Sequence, residues 1–231
     1  MKTVLNKFSI FFLVFFLTNK PNGFSQQPAY DSSFRTERFY IEIEQFRHFA
    51  QSRKDIIFLG NSITFYINWT EFLNDLKVKN RGISGDHTFG VLERIGDIVK
   101  GKPAKVFILI GISDLARNYP DSVILRNYKR MIQAFKQGSP DTKLYFQSIL
   151  PVNISFPKAK GVYNKSDHIL AVNSALKELC NAENVTFVDL HSQFIDNIGQ
   201  LKKEYTYDGV HINLAGYIQW ANMIKPYLKK R

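Results

Sequence analysis

Short runs of apolar residues ending in glycine or a small polar residue recur along the chain, separated by longer segments with apolar residues at helical spacing. Such runs occupy residues 55–60, 105–111, 143–150 and 185–190, and residues 78–82 form a weaker fifth run suited to a sheet edge. An unbroken run of four to six apolar residues fits a strand covered on both faces, whereas a strand with one wet face would alternate. The intervening segments, residues 88–99, 122–136, 166–181 and 214–228, have helical periodicity. So does the stretch 33–50, where Phe39, Ile43, Phe46 and Ala50 form one stripe. Strand and helix alternating in this way give an α/β three-layer sandwich around a five-stranded parallel sheet. Right-handed crossovers bring the C-terminal ends of all the strands to one edge, where ligands bind in such folds.

The chain has 231 residues, 45% of them hydrophobic and 22% charged, which is enough for one domain with a substantial core. The first residues stand apart. Lys2 and Lys7 precede an apolar run over residues 8–17, which then breaks into a polar stretch ending near Ser25. That run is about half of the roughly 20 residues a spanning helix needs. The pattern is that of a secretory signal peptide over residues 1–25, with the functional domain over 26–231 and a secreted or periplasmic destination. An uncleaved anchor is the alternative. Once the leader is removed, stable membrane insertion is not expected.

The net charge is +11, and removing Lys2, Lys7 and Lys20 with the leader leaves +8. The basic residues are scattered except for Lys229, Lys230 and Arg231, and no recognition motif accompanies them, so nucleic acid is not an expected partner. Cys180 is the only cysteine, which rules out an internal disulfide. It falls on the apolar face of a helical segment, as a buried inert thiol would. No motif fixes an oligomeric state.

Three unusual short sequences fall at the predicted ligand edge. In Gly60-Asn-Ser-Ile-Thr64 the hydroxyl of Ser62 comes two residues past a buried strand, at a helix entrance. An acyl-transfer nucleophile needs such exposure, fixed orientation and nearby backbone donors. A plain helix N-cap would use the same residue. Asp208-Gly-Val-His211 can set a carboxylate beside one ring nitrogen of His211 and leave the other free to reach a serine. A capping aspartate next to a surface histidine is the competing interpretation. The third sequence is Gly111-Ile-Ser-Asp114.

Together with Asn80-Arg-Gly-Ile-Ser-Gly85, these motifs, in this order from about residue 55 to the C-terminus, resemble the SGNH (GDSL-type) hydrolase superfamily. The flanking residues are similar to its branch of sugar O-acetylesterases and platelet-activating-factor acetylhydrolase-like enzymes. The resemblance implies a flavodoxin-like sheet, no metal or other cofactor, and hydrolysis of a small-molecule or glycan ester through an acyl-serine intermediate. It implies Ser62 as nucleophile, His211 as base and Asp208 as its orienting acid. Ser62 and Gly82 would donate backbone N–H groups to the oxyanion, with Ser113 where the family carries an asparagine as third donor. A serine hydroxyl has a shorter reach than a carboxamide, and losing such a donor has cost another hydrolase roughly 10²–10³ in turnover. Asn61 stands where the family has a mostly structural aspartate.

Asn61, His87 and Arg117 are the candidates for contact with substrate. His87, beside the predicted oxyanion loop, equally suits a plain turn. Asp114 anchors its loop, and His48, His168 and His191 are structural or exposed. The aromatic stretch over residues 65–69 could meet an acyl chain or pack a helix. The expected substrates are short acyl esters, acetate foremost, of carbohydrate or sialic acid. A lysophospholipase or a non-catalytic carbohydrate-binding protein on the same scaffold are the alternatives. N-terminal sequencing of the exported protein is expected to begin at Gln26, and retention of residues 1–25 would mark an anchor.

Overall fold

A computed structural model describes residues 30–229, so the leader and its cleavage site lie outside the described residues. Five strands form one sheet: β1 (Ile56–Gly60), β2 (Val78–Gly82), β3 (Lys105–Leu109), β4 (Lys143–Gln147) and β5 (Thr186–Val188). All pairings are parallel, in the order β2-β1-β3-β4-β5, the flavodoxin-like arrangement. As expected, β2 lies at an edge, and every residue of β1 and β3 is buried.

The helices are α1 (Glu37–His48), α2 (Ser62–Phe65), α3 (Trp69–Phe72), α4 (Thr88–Gly101), α5 (Ile112–Ala116), α6 (Asp121–Gly138), α7 (Ser166–Ala182), α8 (His191–Phe194) and α9 (Leu214–Lys229). Two 3-10 turns, Pro157–Val162 and Lys203–Tyr205, interrupt the longer connections. Helix α1 buries Phe39 and Ile43 and half-buries Phe46, but it ends at His48 and leaves Ala50 exposed, so the predicted stripe loses its last member. The backbone turns extended at Phe49.

Register explains how the layers assemble. Phe58, Phe107 and Tyr145 are successive cross-strand neighbours, and their rings stack at 5.1 and 4.5 Å between centroids. On that face Trp69 of α3 stacks on Phe58 at 4.2 Å, and Trp220 of α9 meets Trp69 edge-on at 4.7 Å. The residues between them on the strands turn to the other face, where Phe146 meets Tyr128 of α6. Helices α4, α6 and α7 pack side by side in that layer. Cys180 is fully buried in α7, and burial pushes its thiol up to about 12, as befits an inert group. Among the described residues no helix is long and apolar enough to cross a membrane.

Cross-strand pairing also sets Gly60 level with Gly82 and with Leu109, so the segments that follow β1, β2 and β3 leave the sheet together. This edge carries the candidate site. Two sizeable hollows, of about 270 and 440 Å³, lie instead at the opposite edge, around Lys102–Lys105 and Ser139–Lys143. Trp220 holds the aromatic stack together, and its indole N–H donates to Gln147 Oε1 at 2.6 Å. Trp220→Ala is therefore expected to lower unfolding free energy by about 3–5 kcal/mol, measured by urea titration.

Candidate active site

Ser62 is the first residue of α2, and the reason for its placement is local. Asn61 accepts the Ile63 N–H through Oδ1 at 3.0 Å and so caps the short helix, leaving Ser62 at its entrance. The Ser62 hydroxyl lies 2.9 Å from His211 Nε2, although the two residues are 149 positions apart. The other ring nitrogen, Nδ1, lies 2.8 Å from Asp208 Oδ2. Asp208 also accepts the N–H groups of Val210 and His211 through Oδ1 at 3.0 and 2.8 Å, so one carboxylate shapes the loop and orients the ring. Thr206 closes the turn by donating its hydroxyl to the His211 carbonyl at 2.6 Å and accepting the Gly209 N–H at 2.9 Å.

Partial burial draws the Asp208 carboxyl upward, but hydrogen bonds from the His211 ring and from the His211 and Val210 amides outweigh it. Their net effect holds the group below the usual carboxylate range. Asp208 therefore stays ionised across the neutral range and can stabilise a positive imidazole. Ser62, His211 and Asp208 have the geometry of a hydroxyl made nucleophilic by an oriented base.

A developing oxyanion needs unengaged donors. Among the described residues, the Ser62 N–H has no partner, because the first amides of a helix lack intrahelical acceptors. Gly82, expected as the second donor, does not fit that role. It is buried at the end of β2, and its N–H already donates to Asn80 Oδ1 at 2.8 Å. Three residues later, half-buried Gly85 has φ +78°, and its N–H has no partner among the described residues. The neighbouring Ser84 Oγ lies 3.3 Å from the Tyr66 hydroxyl, and the Tyr66 ring packs edge-on against His211. Gly85 thus sits at the rim of the triad with the donor that Gly82 lacks. Ser113, in the first turn of α5, is half-buried, and its hydroxyl has no hydrogen-bond partner among the described residues. It can therefore offer its proton to a ligand.

Of the three residues expected against substrate, Asn61 and His87 are placed otherwise. Asn61 is fully buried as the cap of α2 and has no face toward solvent. His87 is buried, with Nε2 2.8 Å from the Phe34 carbonyl, so it ties down the N-terminal segment and does not line the mouth. Burial, with Arg35 and Arg117 nearby, pushes His87 down to about 4. Arg117 stacks its guanidinium on the Phe34 ring, 3.5 Å from the centroid. Asp114 anchors its loop as expected. It accepts the Thr88 N–H at 3.1 Å and hydroxyl at 2.5 Å, tying α5 to the start of α4, and burial pushes it up to about 7. His168 pairs with Asp121 at 3.0 Å, and His48 is exposed at the end of α1. Trp69 is wholly buried and donates to the Thr64 carbonyl at 2.9 Å, so it packs the helix.

Arg94 belongs to none of the sequence motifs, yet it binds the segments that carry them. Its guanidinium donates to Asp86 Oδ2 at 2.8 and 3.0 Å, to the Arg81 carbonyl at 2.8 Å and to the Gly60 carbonyl at 3.1 Å. An arginine at a single polar position inside an apolar helix face was the available signal. No group of three or more histidine, cysteine or acidic side chains that could hold a metal occurs among the described residues.

The profile of the GDSL-like lipase/acylhydrolase family matches residues 58–218. The N-acylneuraminate cytidylyltransferase of Escherichia coli O18:K1:H7 is 28% identical over 196 residues, which cover 84% of this chain and 45% of that protein. The chain thus spans less than half of that relative's length. The Homo sapiens platelet-activating factor acetylhydrolase IB subunit alpha2 is 25% identical over 179 residues, covering 74% of this chain and 73% of its own. A solved structure from Streptococcus pneumonia, provisionally described as a platelet activating factor, superposes with a TM-score of 0.77 at 34% identity, covering 83% of this chain and 92% of that one. A GDSL-like lipase from Bacteroides thetaiotaomicron gives 0.73 at 26% identity, covering 83% and 97%.

The buried His87 sets a pH dependence of stability. Its folded value of about 4 lies below the ordinary 6.5, so the unfolded chain binds the extra proton between these limits. Stability is therefore undiminished above about pH 6.5 and is lost as pH falls toward 4. Asp114, raised to about 7, titrates with the opposite sign in the same window, so a difference between variants isolates the histidine. His87→Gln, which keeps a donor for the Phe34 carbonyl, is expected to gain roughly 1–2 kcal/mol on the wild type between pH 7 and pH 5, allowing for solvent screening. Urea unfolding of both proteins at the two pH values checks this.

Proposed function

Because the chain belongs to the GDSL-like lipase/acylhydrolase family and is a serine ester hydrolase, we propose that it removes short acyl groups, acetate foremost, from carbohydrate or sialic-acid esters. Ser62 is the nucleophile in this proposal, His211 the base and Asp208 the acid that orients it. The observation that carries it is the 2.9 Å approach of Ser62 Oγ to His211 Nε2, with Asp208 Oδ2 2.8 Å behind the ring.

The reaction follows from those contacts. As the Ser62 oxygen bonds to the ester carbonyl carbon, its proton passes to His211 Nε2, and Asp208 stabilises the imidazolium. The carbonyl oxygen becomes an anion, which the Ser62 and Gly85 N–H groups and the Ser113 hydroxyl receive. Collapse breaks the bond to the leaving alcohol, which takes the proton from His211. Water then attacks the acyl-serine by the same route, releasing the acid and restoring Ser62.

Two relatives support the substrate class, one through the neuraminate sugar in its name and one through an acetyl group. The acetylhydrolase relative also favours a second reading, hydrolysis of a lipid ester, which a series of acyl chain lengths separates from the first. A preference for long acyl groups over acetate would select it. We also propose export, on the basis of the leader read in residues 1–25, with the mature chain as the functional domain.

With p-nitrophenyl acetate, Ser62→Ala is expected to lose roughly 10³-fold or more in kcat. Equal rates for the two proteins would remove Ser62 from the role of nucleophile. Ser113→Ala is expected to lose roughly tenfold to a hundredfold, less than a full donor in a tighter site. A wild type that is inert until Ser113→Asn restores turnover would identify a lost third donor.

A further inference from the structure

Two tyrosines flank the triad without belonging to it. Tyr66 follows α2, and its ring packs edge-on against His211 with centroids 5.2 Å apart, yet the residue is 56% exposed. Tyr207 immediately precedes Asp208 and is 70% exposed. Tyr217 of α9 donates its hydroxyl to the Ile63 carbonyl beside Ser62 at 2.7 Å, and Tyr207 and Tyr66 are near enough to add to the upward push that burial gives its ionisation. The two tryptophans, Trp69 and Trp220, are by contrast fully buried.

We propose that Tyr66 and Tyr207 are the specificity-determining walls of a leaving-group subsite that takes the ring of a sugar ester against their aromatic faces. The proposal rests on the esterase reading and names what that esterase recognises. A phenol offers an apolar face and a polar tip. A pyranose ring is built alike, with a C–H face and a rim of hydroxyls. The Tyr66 tip already meets Ser84 Oγ at 3.3 Å, which puts hydrogen-bonding groups where such a rim would lie. A long acyl chain would need an enclosed apolar slot. The nearby aromatics do not supply one, because Trp69 is committed to the core and Arg38 covers the Phe65 ring at 5.1 Å.

The test compares kcat/KM on methyl 6-O-acetyl-β-D-glucopyranoside with kcat/KM on ethyl acetate, by pH-stat, so that any common effect on the triad cancels in the ratio. Tyr66→Ala and Tyr207→Ala are each expected to lower that ratio severalfold, and the double variant about tenfold or more, mainly through KM. Tyr66→Phe, which keeps the ring, restores it. An unchanged ratio in the Tyr207→Ala and double variants overturns the proposal, as does a loss confined to ethyl decanoate. Should Tyr66→Ala fail to fold, the exposed Tyr207 carries the test through Tyr207→Ser. Saturation-transfer NMR of the sugar ester on Ser62→Ala needs no turnover. Strong transfer to the ring C–H protons that disappears with Tyr207→Ala supports the subsite even if the wild type hydrolyses nothing, whereas absent transfer beside normal turnover sinks the subsite alone.

Discussion

One buried guanidinium holds the reactive edge of this sheet together. Arg94 reaches out of α4 to the carbonyls of Gly60 and Arg81 and to the Asp86 carboxylate, and the side chains of both Arg94 and Asp86 are almost wholly shielded from water. Gly60 precedes Ser62 by two residues, Arg81 is the penultimate residue of the neighbouring strand, and Asp86 follows Gly85. Burying an ion pair is costly, and replacing one by apolar residues is often neutral for stability, so its value here lies in position. Burial pushes the Asp86 carboxyl upward, and Arg94 opposes that shift. Asp86 Oδ1 meanwhile takes the His87 N–H at 2.9 Å. The helix can pass this close only because residue 90 is glycine, since a Cβ there would run into Asp86 Oδ1.

The same loop is gripped from its other side by the segment that precedes α1. Thr36 accepts the Phe39 N–H as the cap of α1 and donates its hydroxyl to the Ser84 carbonyl, both at 3.2 Å. A Cβ at Gly85 would come within 2.8 Å of the Thr36 methyl, so the left-handed turn and the close approach require the same glycine. Tyr30 packs between Phe89 and Tyr119, and the Tyr119 hydroxyl donates to the Asp31 carbonyl. The candidate oxyanion loop is thus fixed by an ion pair beneath and a strap above.

What could be read in the sequence divides along the reach of the interactions. Strands β1 and β3 were legible because continuous apolar runs have few other fates, and Ser62 and His211 because a strand end and a helix entrance converge at the C-terminal sheet edge whatever lies between. Which glycine keeps an unengaged N–H was not legible. Gly82 and Gly85 both lie in Asn80-Arg-Gly-Ile-Ser-Gly85, and only the fold reveals that Asn80 consumes the first N–H. His87 was misplaced for a related reason: its partner, the Phe34 carbonyl, arrives from 53 residues away, and the same ring of Phe34 draws in Arg117. Asn61 was given a ligand contact although its own helix uses the side chain locally. Ala50 failed because the helix ends at His48, two residues short of it.

These constraints bear on the third oxyanion donor. Electrostatic stabilisation of a transition state depends on donors that need not reorganise when charge develops. Ser62 N–H is held by the capped α2, and Gly85 N–H by the doubly gripped loop. The backbone of Ser113 is equally fixed, because the next residue, Asp114, is buried and bound to Thr88 at the start of α4, which Asn127 in turn meets through the Thr88 hydroxyl at 2.8 Å. The compromise at this position is therefore confined to one short side chain on a rigid frame. A carboxamide on that frame would reach farther than the hydroxyl does, by its own greater length.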